Sequence, residues 1–376
     1  MKNLRFNFKN YIYNFVVLLL VALMTVPTVF QEPLEGVALV ATASLASGTV
    51  MSFIPTGVAF MAIQVEVWQK HIEEDLFKDN EFLRASHKAD GNVIDSKIVH
   101  IPQSGGAGNV VKNRSTLPAS IRKRTDTDVV YVLDEFTTDP VNIPDADKHE
   151  LSYDKRASVL GEDMDKLKEY VANETIYSWL TSPAVTGYGA TALPVTSIKL
   201  TTGDSVPASA TGATGNRKAL TRTDLQTAKT FLKKQKRWVN GKMYALITPE
   251  MEAQLFPAGD LVTATEMQSV TEEERREGVM YKTQGFKIFV RNTVGVLAAD
   301  NTIKAPEAVG AATDSEFAMC WYSEAVEFAF GTVKAFENLG DPTMYGDTYS
   351  FLVRSGARSR RTGYEGICLI KQDTPA

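Results

Sequence analysis

The most apolar run of the chain is residues 15–24, FVVLLLVALM, and it follows Lys2, Arg5 and Lys9. Basic residues followed by an apolar core is the order of a secretory signal peptide. A spanning helix needs about 20 apolar residues, so this run is short for one. A second uncharged stretch, 36–65, is rich in Ala, Ser, Thr and Gly and holds Pro55 and Gly57. At residue 61 the pattern changes to MAIQVEVWQKHIEEDLFKDNEFL, in which apolar and charged residues alternate. Residues 1–60 are therefore expected to be an upstream extension or a processed leader, and a soluble body is expected to begin near Met61.

Within that body, Val67, Trp68, Ile72, Leu76 and Phe77 recur at helical spacing and predict an amphipathic helix over 64–78. KIVHIP, 97–102, and TDVVYVLDEFTT, 127–138, read as strands. Between them QSGGAGN and a polar, basic stretch predict a long excursion, so the pair is expected to form an extended β-arm that buries little apolar surface of its own. The longest helical signal is 145–180, where Tyr153, Ala157, Leu160, Met164, Leu167 and Val171 form one stripe. Gly161 is expected to weaken it by about 1 kcal/mol. Residues 182–222, rich in Thr, Ala, Ser, Gly and Pro, read as a long loop or a small β insertion.

Further on, TRTDLQTAKTFLKKQ opens with a cap-like Thr and Asp and places Leu225, Ala228 and Leu232 on one helix face. KMYALITPEMEAQLF reads as a buried strand running into a helix started by Thr248 and Pro249. TEEERREGVMYKTQGFKIFVRNTVG reads as a charged helix end, a strand, a glycine turn and a strand. The chain from 316 onward, EFAMCWYSEAVEFAF and YSFLVRSGARSRRTGYEGICLIKQ, reads as strands with polar turns.

Composition narrows the function classes. The 376 residues are 44% hydrophobic and 23% charged, with a net charge of −5. Such a chain has no global attraction to nucleic acid. Cys320 and Cys368 lie in apolar strand contexts and are expected to be buried thiols. Among His71, His87, His100 and His149 no two have metal-ligand spacing. SGGAGN and GATGNRKAL lack the Lys-Ser/Thr of a phosphate loop, and no nucleophile elbow or paired-Cys zinc pattern occurs. No catalytic, cofactor or metal site is expected, and the chain reads as a protein that is not an enzyme. Asp145, Asp147 and Glu150 fit the acid preference of a helix N-terminus.

Two basic clusters remain. One is Arg122, Lys123 and Arg124 on the arm; the other is RSGARSRR, with Arg354, Arg358, Arg360 and Arg361. Neither is interleaved with aromatics as a single-strand groove would be. These clusters read either as a solvated charged face or as a set, Arg122, Lys123, Arg124, Arg358 and Arg361, that binds carboxylates on neighbouring copies, since the arginine fork holds carboxylates in pairs.

The order of N-arm, β-excursion, long helix, α/β region and returning strands resembles the major capsid proteins of tailed bacteriophages, the α+β HK97-type fold. The resemblance spans about residues 61–372. EVWQKHIEEDLFKDNEFL resembles the N-arm, and KIVHIPQSGGAGNVVKNRSTLPASIRKRTDTDVVYVLDEFTTDPVNIPDAD the extended loop, as written in phages of Bacteroides-like hosts. ELSYDKRASVLGEDMDKLKEYVANETIYSWL is similar to the spine helix of the peripheral domain. GVMYKTQGFKIFVRNTVG resembles the strand–glycine–strand of the axial domain, and YGDTYSFLVRSGARSRRTGYEGICLI the closing strands. The implied division is a hydrophobic extension 1–60, N-arm 61–95, extended loop 96–144, peripheral domain 145–220, axial domain 221–330, and returning peripheral strands with the C-terminal strand 331–376. The resemblance implies a virion subunit, assembled in the host cytoplasm into pentamers and hexamers. Scaffold, portal and maturation protease would be its partners, and packaged DNA would be met only non-specifically. An encapsulin-like compartment and an exported or membrane-anchored bacterial protein are the alternatives.

Overall fold

The computed structural model describes residues 80–375, apart from 90–92, 95–97, 104, 106–108, 116, 119–120, 122, 125, 145–154 and 185–188. The leader expected over 1–60, the helix expected over 64–78 and the start of the long helical signal lie outside the described residues.

Two sheets and one helix set the architecture. A long antiparallel hairpin pairs the strand Val326–Asp341 with Gly346–Ser359. His87–Lys88 adds in parallel to its first strand, and Asp134–Thr137 and Val141–Pro144 add to its second. The helix Lys155–Leu180 packs along this five-stranded sheet. Among the described side chains its stripe is as the spacing predicts: Met164, Leu167 and Val171 are buried, and it continues through Ala172, Ile176, Trp179 and Leu180, while the side chains of Tyr153, Ala157 and Leu160 lie outside the described residues. Its exposed face carries Lys166 and Glu169.

The seven-stranded sheet runs Tyr281–Thr283, Phe286–Val290, Met243–Ile247, Ser315–Tyr322, Ile367–Lys371, Ile198–Leu200, with Val296–Leu297 paired to Ser315–Tyr322. Its central strands are buried on both faces, which is why they read as nearly continuous apolar runs. The two-residue strand period sorts them. Ala245, Ile247, Ala318, Cys320, Cys368 and Ile370 face one core with Leu225, Ala228 and Leu232 of the helix Arg222–Lys234. Leu246, Phe317, Met319, Trp321, Ile367 and Leu369 face the other core, shared with Ile176, Trp179 and Leu180 of the long helix. The long helix thus serves both sheets.

Local chemistry explains the element ends. Thr221 and Asp224 form a reciprocal capping box on Arg222–Lys234. Thr271 and Glu274 do the same for the helix Glu272–Arg276. Pro249 stands in the first turn of Pro249–Leu255. Gln284 and Gly285, with φ of 50° and 89°, make the turn between Tyr281–Thr283 and Phe286–Val290.

Two strand pairings cut across the segments of the division drawn from the sequence. Ile367–Lys371 lies within the seven-stranded sheet between Ser315–Tyr322 and Ile198–Leu200, not with the hairpin. Ile198–Leu200 joins the same sheet from within the segment read as insertion. Apolar pattern carries no information on pairing partner, so neither pairing follows from the sequence. Cys320 and Cys368 are free, fully buried and directly paired across two strands. Burial pushes the Cys320 thiol well up and the Cys368 thiol to about 12.

Candidate functional site

The strands Ile98–Gln103 and Thr127–Val132 pair antiparallel, with Gln103 opposite Thr127. They form the root of an arm. The expectation of little buried apolar surface fails at this root. Alternation turns Val99, Ile101, Val129 and Tyr131 to one side, where with Leu133 they close over Ala89 and Ala329 of the hairpin region. Beyond Gln103 the chain leaves the sheet for the excursion 104–126.

That excursion holds exposed apolar side chains. Val110 and Ile121 are each 99% exposed and Leu117 is 78% exposed. Burying such a side chain is worth about 1.5–3 kcal/mol, so leaving several in water is unfavourable unless another surface covers them. The excursion also carries Lys112, Arg114, Arg122, Lys123 and Arg124 against one acid, Asp126. Asp126 closes its neck. One carboxylate oxygen accepts the Gly105 N–H at 2.7 Å and the Arg124 Nε–H at 2.6 Å. These bonds, the Gly105 N–H first, hold the Asp126 carboxyl below its ordinary value. At the root, His100 Nδ1 lies 2.5 Å from Asp128 Oδ2.

The basic residues named from the sequence separate. Lys123 and Arg124 are exposed on the excursion, and Arg124 pairs with Asp126 of its own chain. Arg122 lies outside the described residues. Arg361 is half-buried beside the turn after the hairpin. Arg358 is a correction: it is 4% exposed and donates to the Val130 carbonyl within its own chain. The reason is the strand period. Arg354, Gly356 and Arg358 share the face of Gly346–Ser359 that meets the arm root. Arg354 reaches Glu135 at 2.7 Å, while a Cβ on Gly356 would stand 2.7 Å from Leu133 Cδ2. Only glycine lets the two layers approach so closely.

Past the strand, Arg360 completes this attachment. Its Nε lies 3.0 Å from Oε2 of fully buried Glu327, and Gln103 donates to its carbonyl at 2.5 Å. Tyr131 OH donates to Glu327 Oε1 at 3.3 Å. Burial raises the Glu327 carboxyl, opposed by Arg360, His87 and Tyr131. The RSGARSRR cluster therefore fastens the arm root to the hairpin. The exposed Val110, Leu117 and Ile121 were missed in the sequence. Their signal was apolar residues at neither helical nor strand spacing within a glycine-rich, basic segment.

A second exposed patch lies at the hairpin's far end, where Phe336, Leu339, Met344 and Tyr345 are 50%, 45%, 57% and 81% exposed. Among the described residues no group of three or more His, Cys, Asp or Glu is placed to hold a metal ion. Among them, too, no helix is long and apolar enough to cross a membrane.

No protein-family model matches the chain, and no curated protein matches it in sequence. Solved structures do match. The capsid of Ralstonia phage GP4 aligns with a TM-score of 0.53 at 12% identity, covering 78% of this chain and 88% of that one. The capsid asymmetric unit of cyanophage Pam1 aligns with a TM-score of 0.52 at 9% identity, covering 76% and 87%. This chain has the α+β HK97-type fold of phage capsid proteins, with its extended loop, spine helix and axial sheet.

Proposed function

We propose that this chain is a major capsid protein that assembles with copies of itself into an icosahedral shell around phage double-stranded DNA. The observation that carries the reading is the capsid fold together with an arm whose root is packed against the hairpin and whose tip exposes Val110, Leu117 and Ile121. A shell subunit needs such projecting surfaces, because each obligate interface buries on the order of 2,000–5,000 Å². The apolar residues would be covered by a neighbour, and Lys123 and Arg124 would meet carboxylates there. A net charge of −5 suits a container that must not bind its packaged DNA tightly.

On this reading the location is the virion capsid, built in the host cytoplasm as pentamers and hexamers. Scaffold, portal and maturation protease are the partners such a shell would use, and the role is structural rather than catalytic. A phage of a Bacteroides-like host is the source the arm sequence favours. The domain division keeps the extended loop 96–144, assigns 198–200 and 367–371 to the axial sheet, and leaves the hairpin to the peripheral domain. Negative-stain microscopy of the purified protein tests the proposal. Uniform closed shells support it, and monodisperse monomers at high concentration overturn it.

A further inference from the structure

A cleft of about 500 Å³ opens where the arm root, the long helix and the hairpin meet. Tyr131 lines it from the root, Asp134 from the strand Asp134–Thr137 that follows, Glu174 and Tyr177 from the helix, Ser182 from the segment after the helix, and Arg358 from the hairpin. Its electrostatics are unbalanced. Partial desolvation raises the Asp134 carboxyl. Burial, and then repulsion from Asp134, raises the Glu174 carboxyl. Among the described residues neither carboxylate has an ion-pair partner. Arg358, the cation in the wall, is already engaged by the Val130 carbonyl. Ser182 is 5% exposed and its hydroxyl has no hydrogen-bond partner among the described residues. Exposed Asp134 and half-buried Glu174 thus share one cleft with a buried, unused hydroxyl, a set of acceptors that a further cation would satisfy.

We infer that this cleft receives a basic side chain, Lys123 or Arg124, from the arm of a second copy of the chain. The inference rests on the assembly reading and names the acceptor that reading requires. Charge selects the occupant: the excursion has five bases against one acid in an otherwise acidic chain. Size agrees, since the cleft has room for a long side chain and its water. A divalent ion is the poorer fit, because only two carboxylates face the cleft and, among the described residues, no group of three or more His, Cys, Asp or Glu is placed to hold a metal ion. An ammonium brings three N–H donors and a guanidinium five, and the four carboxylate oxygens with the Ser182 hydroxyl can accept them. Once seated it would neutralise the Asp134–Glu174 repulsion, so the receiving copy gains as well.

The test uses the full-length subunit and a labelled peptide of residues 117–126, titrated at low salt. The expected result is saturable binding to the wild type. Binding should weaken about tenfold or more to an Asp134→Asn/Glu174→Gln double variant whose melting temperature is not lowered. A Lys123→Glu/Arg124→Glu peptide should fail to bind the wild type and regain binding to Asp134→Lys/Glu174→Lys. Equal binding of the basic peptide to wild type and double variant overturns the inference, even if the protein forms shells. Competition by millimolar Mg²⁺ beyond that of NaCl at matched ionic strength also overturns it, because the cleft would then be a metal site. Failure of the assembly reading shows separately, as absence of closed particles from the wild type. Cleft-dependent peptide binding in that case would still report the contact between two chains.

Discussion

Trp179, in the last turn of the long helix, donates its indole N–H to the carbonyl of Glu327, in the first strand of the hairpin, over 3.0 Å. The bond joins the element that serves both sheets to the strand whose carboxylate holds the arm root. Trp179 is fully buried, and its ring lies 5.9 Å from that of Trp321 at the centre of the seven-stranded sheet. Trp321 in turn donates to the Ala85 carbonyl at 3.0 Å. Both indoles thus fill core volume and satisfy a backbone acceptor at once.

Truncation along this helix should therefore be graded. Trp179→Ala should cost about 3–5 kcal/mol and Leu167→Ala about 2–5 kcal/mol. Lys166→Ala, on the exposed face, should stay within about 0.5 kcal/mol. Trp179→Phe keeps most of the ring and loses the hydrogen bond, so it should fall between. Urea unfolding of unassembled subunits measures all four, and equal shifts for Leu167→Ala and Lys166→Ala would contradict the assigned face.

Gly161 lies inside the helix, and a Cβ there would meet nothing within 4 Å. It supports no close approach and retains only the entropic cost of glycine. Gly161→Ala should stabilise the subunit by about 0.5–1 kcal/mol. Calorimetry should show a rise of about 1–3 °C for a domain of this size. A fall would mean that the glycine serves a contact outside the subunit.

The spine helix and the central strands were legible because each imposes a period on its apolar residues. The helix Leu261–Gln268 was not, since it has no buried residue and therefore no stripe; Asp260 starts it by accepting the Val262 N–H. The hairpin strand Gly346–Ser359 was legible only in its first half. Its second half, RSGARS, has small and basic residues where a strand normally shows apolar alternation. Period-two reasoning still applied, but the inward residues were Arg354, Gly356 and Arg358, which bind backbone and carboxylate rather than oil. The arm's place was legible from its glycines, whereas the cleft was not, because Asp134, Glu174 and Ser182 come from three separate elements.

That misreading gives a contrast to measure. Arg358→Ala removes a buried donor from the Val130 carbonyl and should cost about 1–3 kcal/mol. Amide exchange should speed up over 127–132, where the arm root would loosen. Lys123→Ala, exposed on the excursion, should leave subunit stability within about 0.5 kcal/mol. Unchanged exchange at the root in Arg358→Ala would mean that Tyr131 and Gln103 hold it without the arginine.

Glu274 supplies a pH prediction. Burial alone would raise its carboxyl, but Lys282, the Thr271 N–H at 3.1 Å and Lys287 at 3.1 Å outweigh burial and hold it at about 2. A carboxylate whose folded value lies below its unfolded value of 4.5 stabilises the fold above that value and loses the contribution as pH falls toward 2. Glu274→Gln should therefore melt below wild type at pH 6, and the gap should close between about pH 4.5 and 2. Lys282→Ala should move the Glu274 titration, followed by carbonyl NMR, up toward the ordinary carboxylate range. A gap that persists at pH 2 would mean that the capping box, not the lysines, carries the effect.

The arm should be separable from the fold. Gln103 and Thr127 are direct partners at the top of the root, so replacing residues 104–126 by Asn-Gly closes the hairpin in its existing register. The root keeps its own core of Val99, Ile101, Val129, Tyr131 and Leu133, none of which is removed. Loop closure favours the change, since a 23-residue loop costs about 2 kcal/mol more to close than a two-residue one. The bonds lost, Gly105 and Arg124 to Asp126, are exposed and screened by water. The shortened subunit should therefore melt cooperatively at or above the wild-type temperature. It should also form no closed particles, because Val110, Leu117, Ile121 and the arm's basic residues are gone. Light scattering and negative-stain microscopy read assembly, and calorimetry reads stability on the same samples. A shortened subunit that unfolds would place the excursion in the subunit's own core, and one that builds wild-type shells would remove the arm from the assembly contacts.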